Sequence, residues 1–493
     1  MAKDSEELTG GNRFYKFFTL AAVPGIFILH NINYFRNLLF TFEVYWLASA
    51  YLLLPFGLYI FFHWLLKQTK DRSLFVSILI ALLFFFFGAA QDLFIRNSIT
   101  KVIGKTYVLP ILFLAPVFYV LLKRPNITFW LRGLTFSLHF FFLSEFLLLL
   151  LSIPNFNQQP TISNLAVLKN TQAKTSEQLN VHHIIFDGYT NSNTLRKLFN
   201  FKNPLDSFLK KEGFYIAGKT KSNYNFTPYS LAATLNLQYL NLNEKQLARD
   251  YKNYLLGAKV YQENSIFRFF EKEQYTSSHF AIVDNTKHLD KLGTFVPKTP
   301  RYSLRYQTLE RIVMNPWLWQ KAIRSSKETI PSPVKESLRY YAQYNFQAQK
   351  HALAFAPEPN FRFTQFLLPH EPYAFSKGSL DSLQLSDLMD HGNGYIKQVE
   401  YANNLIVNLV SELKRNDRNI IILQGDHGFR NYDFSRFSPF MQNETLNAFY
   451  FPDQNYTLLY DSISLVNTYR VVLNQYFHQN LPLIKDSAII PLE

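Results

Sequence analysis

The chain contains no cysteine. That excludes disulfides, thiolate metal sites and cysteine nucleophiles together. It does not fix the compartment, because a domain this large needs no covalent staples. Internal repeats and low-complexity tracts are also absent. No stripe of basic and aromatic residues runs along the chain. Lys and Arg are scattered, despite a formal charge of +14. Nucleic acid is therefore not an expected partner, and an anionic membrane surface or anionic substrate fits the charge better.

What is present is unevenly spread over the 493 residues. The first 153 carry most of the long apolar runs. A helix needs about 20 apolar residues to cross a hydrocarbon core. Five spans are expected, at roughly 14–30, 42–66, 73–95, 106–122 and 130–152. The first is interrupted by Pro24 and Gly25. A set of buried soluble helices is the bland alternative, and the length of the runs argues against it. A cleaved signal peptide is not expected, since no small-residue cleavage site follows the first run.

Loop charges set the orientation. With the N-terminus inside, the inner segments hold Lys3, Arg13, Lys16, Lys67, Lys70, Arg72, Lys123, Arg124 and Arg132. The outer loops hold Arg36, Arg96, Lys101 and Lys105. The excess of cations inside favours this topology. Five spans then place the later residues outside the cytoplasm. If the first run does not cross, they still lie outside, with the N-terminus outside as well. The spans carry few ionisable groups, His30, His63, Asp92, His139 and Glu145 among them, too few to favour a transporter.

Residues 154–180 are polar and read as a linker, so the expected domains are 1–153, 154–180 and 181–493. The last part alternates strand-like and helical stretches. Val181–Phe186, His279–Asp284, Phe361–Leu368, Asn419–Leu423 and Asn447–Phe451 read as strands. Pro204–Lys211, Tyr395–Lys414 and 463–477 read as helices. Such alternation predicts an α/β domain with a mostly parallel sheet covered on both faces.

Three runs carry chemistry: IIFDGYT (184–190), YNFTPYS (224–230) and ILQGDHGFR (422–430). Asp187 and the pair Asp426 and His427 each follow an apolar run. If those runs are parallel strands, the ligands lie at their carboxyl ends, where open α/β sheets build sites. Thr227 precedes Pro228 and a helical stretch, which places Thr227 at the N-cap. The free N–H groups of the helix N-terminus and the helix dipole would then point at an incoming phosphate. Read singly, each motif has a plain structural meaning. Thr227 is a helix cap, Asp187 caps the next helix, and Asp426-His427-Gly428 is a polar turn. His370, in LLPHEPY (367–373), reads as a loop histidine or as a donor to a substrate oxygen. His182 and His183 read as structural, Asn223 and Asn225 as turn or pocket residues. Arg430 and Lys221 are candidate phosphate clamps.

Taken in this order, IIFDGYT, SNYNFTPYSLAATLN, LLPHEPY and QGDHG resemble the sulfatase-like branch of the alkaline phosphatase superfamily. They are most similar to its membrane-anchored members, the lipoteichoic acid synthases and phosphoethanolamine transferases. The resemblance spans about 180–490. It implies an alkaline-phosphatase-like fold behind an N-terminal α-helical transmembrane bundle. It also implies Asp187, Thr227, Asp426 and His427 as metal ligands, Thr227 as nucleophile and His370 as a substrate-binding residue. Zn²⁺ or Mn²⁺ suits such a ligand set. Three departures matter, one being that the second histidine expected shortly after Asp426-His427-Gly428 in the transferases is missing, with Arg430 the nearest charged residue. The formylglycine motif of sulfatases is absent, since Thr227 stands at its cysteine or serine and no arginine follows at the motif spacing. Gly188 stands where a paired acid is expected, which implies a single metal.

The expected function is a metal-dependent phosphoryl-group transferase or hydrolase with a threonine nucleophile. It would be a multi-pass protein of a bacterial-type inner membrane, acting outside the cytoplasm on lipid headgroups or membrane-linked glycans. The alternatives are a sulfuric-ester or phosphodiester hydrolase, or a non-catalytic binding domain. Keeping all four ligand candidates favours an enzyme over the last of these.

Overall fold

The computed structural model describes residues 9–35, 42–65, 67–96, 108–123, 126–152, 179–242, 247, 249, 251–284, 300–311, 332–377, 383–384, 386–431 and 437–490. Most of the 154–180 linker, and Lys3, Arg36, Lys101, Lys105 and Arg124 of the charge pattern, lie outside these. The chain forms two compact units. One comprises Met1–Thr161 with Lys298–Ala322, the other Ile162–Pro297 with Ile323–Glu493.

The first unit is a helical bundle: α1 (Thr9–Phe35), α2 (Phe42–Ile60), α3 (Lys70–Arg96), α4 (Val108–Lys123) and α5 (Thr128–Ser152). A π-helical turn, Phe61–Leu65, extends α2. Four of the five expected spans are long and apolar enough to cross a membrane. The 16-residue α4 is shorter and holds Pro116 inside it. The expected break at Pro24 and Gly25 is not one: α1 runs straight through Pro24. Gly25 has another use, since a Cβ there would stand 2.6 Å from the Phe142 ring of α5. Between α1 and α3, Lys16 pairs with Asp71 at 2.9 Å.

The second unit is built on a six-stranded sheet. Its strands are β1 (Asn180–Phe186), β2 (Tyr215–Ile216), β3 (Thr276–Phe280), β4 (Asn360–Phe366), β5 (Asn419–Gly425) and β6 (Asn447–Tyr450). Their order is β2-β6-β5-β1-β4-β3. The neighbours β5, β1, β4 and β3 run parallel, and β6 and β2 close one edge antiparallel. The sheet is therefore mixed and mostly parallel, as the alternation of elements predicts. Every residue of β1, β4 and β5 is buried, as expected for strands with helices on both faces. The strand expected at His279–Asp284 begins earlier, at Thr276, and its end turns into a short 3₁₀ helix, Ile282–Asp284.

Helices cover both faces. On one side lie α8 (Thr227–Asn236), α9 (Tyr251–Gln262), α10 (Ser265–Lys272) and α13 (Thr468–Tyr476), following α6 (Ser192–Phe199) and α7 (Leu205–Lys211) in the chain. Phe363 of β4 meets Tyr261 of α9 and Phe267 of α10 there, and His183 of β1 meets Tyr469 of α13. Opposite, α11 (Ser332–Ala352) takes the other side of β4, where Arg362 donates to the Ala352 carbonyl. The long α12 (Asn393–Leu413) buries Tyr395, Val399, Ala402, Ile406, Leu409 and Leu413, the spacing of one helical face.

Register positions the site. Phe186 of β1 pairs with Phe366 of β4 and with Gly425 of β5. Three strands therefore end level, and Asp187, Leu367 and Asp426 each follow directly.

Candidate active site

Asp187 enters the site from the end of β1. The Gly188 after it has φ +72°, a backbone that glycine adopts without strain. This turn sends the Gly188 N–H to Asp426 Oδ1 at 3.0 Å. Asp426 follows β5, and its Oδ1 also accepts from the His427 N–H at 2.9 Å. The flanking glycines let neighbouring chain pass close. A Cβ on Gly425 would stand 2.2 Å from Thr445 Oγ1, and one on Gly428 2.3 Å from the Glu444 carbonyl.

One atom from each of Asp187, Asp426 and His427 lies within 4.8 Å of the other two. His427 Nε2 is 3.5 Å from Asp187 Oδ1 and 3.6 Å from Asp426 Oδ2. These same three atoms are buried without a hydrogen-bond partner. The remaining atoms of the three groups are satisfied. Asp187 Oδ2 accepts from Gln365 at 3.2 Å. His427 Nδ1 donates to the Gly428 carbonyl at 2.7 Å, which leaves the lone pair on Nε2. Buried polar atoms are rarely left unpaired, because each costs about 1–3 kcal/mol. Three such atoms converging on one point, all of ligand type, fit a divalent cation. The Nδ1 bond is the usual means of orienting a ligating imidazole.

Without a cation the electrostatics oppose the charged forms. Burial raises Asp187, against the pull of His370, Arg430 and Gln365. Burial, then the Asp187 charge, pushes Asp426 up to about 8. Burial drives His427 well below the usual histidine range, with Arg430 adding to it. Two acids and a neutral imidazole are the forms a cation binds, and its charge would draw both acids back down.

Thr227 is the first residue of α8, with Phe226 in the cap position; the expected N-cap is one residue too late. Pro228 lacks an N–H, and the N–H groups of Tyr229 and Ser230 both donate to the Phe226 carbonyl. The helix dipole therefore remains, but not the row of free donors that the sequence suggested. Thr227 lines the same cavity as Asp187. Ser230, one turn on, donates to the Asp426 carbonyl at 2.5 Å. This bond ties α8 to the end of β5.

His370 lies in the loop after β4. Its Nδ1 donates to the Glu371 carbonyl at 2.7 Å and its Nε2 accepts from Arg430 Nη2 at 3.0 Å. Arg430 Nη1 donates to the Asn225 carbonyl at 2.9 Å. A cavity of about 50 Å³ opens here, lined by Asp187, Thr227, His370, Glu371 and Arg430 on its polar side and by Phe226, Tyr254, Ile282, Tyr341 and Leu367 on its apolar side.

The sequence candidates thus divide. Asp187, Thr227, Asp426, His427, His370 and Arg430 come together. Lys221 does not line the cavity; its ammonium lies over the Phe440 ring, 5.6 Å from its centre. His183 is locked between Tyr469 and Gln424 at 2.7 and 2.8 Å, and burial lowers it and His182 to about 3. Both are structural. Asn223 binds Tyr239, Ser464 and the Val466 N–H. Asn225 contributes its carbonyl to Arg430. Sequence reasoning missed Gln365, Tyr341 and Gln398. Buried Gln398 reaches the Pro369, His370 and Pro372 carbonyls at 3.2, 2.7 and 3.2 Å, and Tyr341 donates to the His370 carbonyl at 2.7 Å. A glutamine inside the apolar stripe of α12 was the available signal.

The sequence matches no protein-family model and no curated protein. Among solved structures, the chain is similar to lipooligosaccharide phosphoethanolamine transferase A (EptA) from Neisseria meningitidis, with TM-score 0.39 and 10% identity over 94% of this chain and 95% of that one. The zinc complex of the periplasmic domain of EptC from Escherichia coli gives TM-score 0.38 and 12% identity over 64% and 86%. A 2-O GAG sulfatase gives 0.35 and 12% over 64% and 73%. These likenesses concern the course of the chain.

Proposed function

We propose that this chain is a membrane-tethered, metal-dependent enzyme that transfers or hydrolyses a phosphoryl-linked group. The observation that carries the reading is the convergence of the three unpaired atoms of Asp187, Asp426 and His427 beside the Thr227 hydroxyl. Those residues would hold a divalent ion, zinc or manganese by donor type. When bound, such an ion supplies Lewis-acid polarisation and lowers the pKa of a neighbouring hydroxyl.

The chain's own residues account for the rest. Thr227 attacks phosphorus, an Oγ1–P bond forms, and its proton passes to Asp426. Arg430 offers guanidinium donors to the non-bridging oxygens, where charge develops. His370, its Nε2 protonated and turned away from Arg430, donates to the oxygen whose bond to phosphorus breaks. An acceptor hydroxyl or water then attacks the phosphothreonine: His370 takes the acceptor's proton, the Oγ1–P bond breaks, and Asp426 returns the proton to Thr227 Oγ1. The apolar wall of Phe226, Tyr254, Ile282 and Leu367 keeps water from the attacking oxygen. The tether favours lipid headgroups or envelope glycans as substrates, with the active unit on the extracytoplasmic side. Thr227 cannot become a formylglycine, which sets phosphoryl above sulfuryl transfer.

The test is a covalent adduct. Full-length protein in mixed phospholipid vesicles, quenched and mapped by peptide mass, is expected to carry a phosphoryl group on Thr227. Thr227→Ala should lose several orders of magnitude in rate, because it removes the attacking oxygen and a proposed metal ligand together, and Thr227→Ser should keep part of it. An adduct elsewhere, or an active alanine variant, refutes the assignment.

A further inference from the structure

The soluble part of the sequence does not all stay in the second unit. After Ile282 and before Tyr341, both walls of the cavity, the chain gives Lys298–Ala322 to the helical bundle. Its described part is a short helix, Pro300–Gln307, and the turn to Arg311.

This segment is seated by several independent contacts on three helices. The Leu309 N–H donates to the Phe84 carbonyl of α3 at 2.6 Å. The Gln307 side chain donates to Asn31 of α1 at 2.9 Å, and Tyr51 of α2 donates to Glu310 at 2.9 Å. Arg311 donates to the Gly88 carbonyl at 3.0 Å and pairs with Asp92 at 2.7 Å, with Tyr306 stacked on its guanidinium. Its side chain is only 11% exposed. Thr308 is fully buried, and Leu309 packs on Leu83 and Phe87. A Cβ on Gly88 would stand 2.7 Å from the Gln307 carbonyl and 2.8 Å from its Cα, so the fit requires glycine there.

Asn31 is near the close of α1 and Phe84 to Asp92 lie in the second half of α3, the same end of the bundle, while Tyr51 is the middle residue of α2. Loop charge assigns that end to the outside, the side to which the residues after the linker were assigned. A charged, hydrogen-bonded segment of this kind would not remain loose beside apolar helices, because each unpaired group costs free energy there.

We propose that the 300–311 segment is a docking element, held by α1, α2 and α3, that keeps the chain after the linker attached to the membrane without the linker's help. The proposal does not depend on the enzymatic reading.

A site-specific protease sequence placed within 154–178 of the full chain, in membrane vesicles, tests it. After cleavage and a high-salt wash, the C-terminal fragment should stay with the membranes. In Gly88→Leu it should move to the soluble fraction. As a second arm, Asp92→Cys with Arg311→Cys, in a chain otherwise free of cysteine, should be bridged by a short bis-maleimide, joining the cleaved fragments on a denaturing gel. Release of the fragment with Gly88 in place, its equal retention in Gly88→Leu, or failure of the cross-link overturns the proposal.

Discussion

At the scale of single residues, burial opposes the charged forms of the site's acids and imidazole. Asp426 shows this most plainly. Its folded pKa, pushed up to about 8 by burial and by Asp187, lies above its value of about 4 in an unfolded chain. A raised carboxyl binds its proton more tightly in the folded state. Its neutral form therefore costs nothing at low pH, and stability is lost as pH rises from about 4 through 8. Chelated protein should show this loss in its melting temperature, while chelated Asp426→Asn should not, so the gap between them widens with pH. Excess divalent metal should reverse the trend for the wild type alone. Parallel pH profiles for the two chelated proteins would contradict the account.

At the scale of elements, the level ends of β1, β4 and β5 bring distant motifs together, and glycines set how closely they pass. Gly425→Ala would drive a Cβ against Thr445 Oγ1 and the Tyr189 carbonyl. Overpacking of this sort costs about 1–3 kcal/mol, and here it would also displace Asp426. A fall in both thermal stability and activity is expected. Gly133→Ala, where a Cβ meets nothing within 4 Å, should change neither. An unaltered Gly425→Ala protein would show that the strand end tolerates movement. Much of this was legible in sequence. Continuous apolar runs ending in Asp187 and Asp426 marked both the parallel strands and the site. What could not be read was anything decided by partners far along the chain. The start of β3 at Thr276 is set by pairing with Asn360, not by its own polar residues. Gln365, Tyr341 and Gln398 take their roles from atoms they meet only in the fold. The cap of α8 depends on the Phe226 backbone, one residue before the hydroxyl that drew attention.

At the scale of the molecule, apolar helices and an α/β unit share one chain, and the loop charges predict the orientation. The inner cations include Lys16, which reaches Asp71, while the other end of the bundle receives the 300–311 segment. Reporter fusions after residue 175 should therefore be active as phosphatase and dark as cytoplasmic fluorescent protein. The opposite pattern would remove the extracytoplasmic assignment. The central claim is that Asp187, Asp426 and His427 form a metal centre. It is tested most directly by elemental analysis of the dialysed full-length protein and of its Asp426→Ala and His427→Ala variants. The account predicts about one divalent ion per wild-type chain and none retained by either variant, each variant remaining folded. Wild-type protein without metal, or variants that keep it, would contradict it.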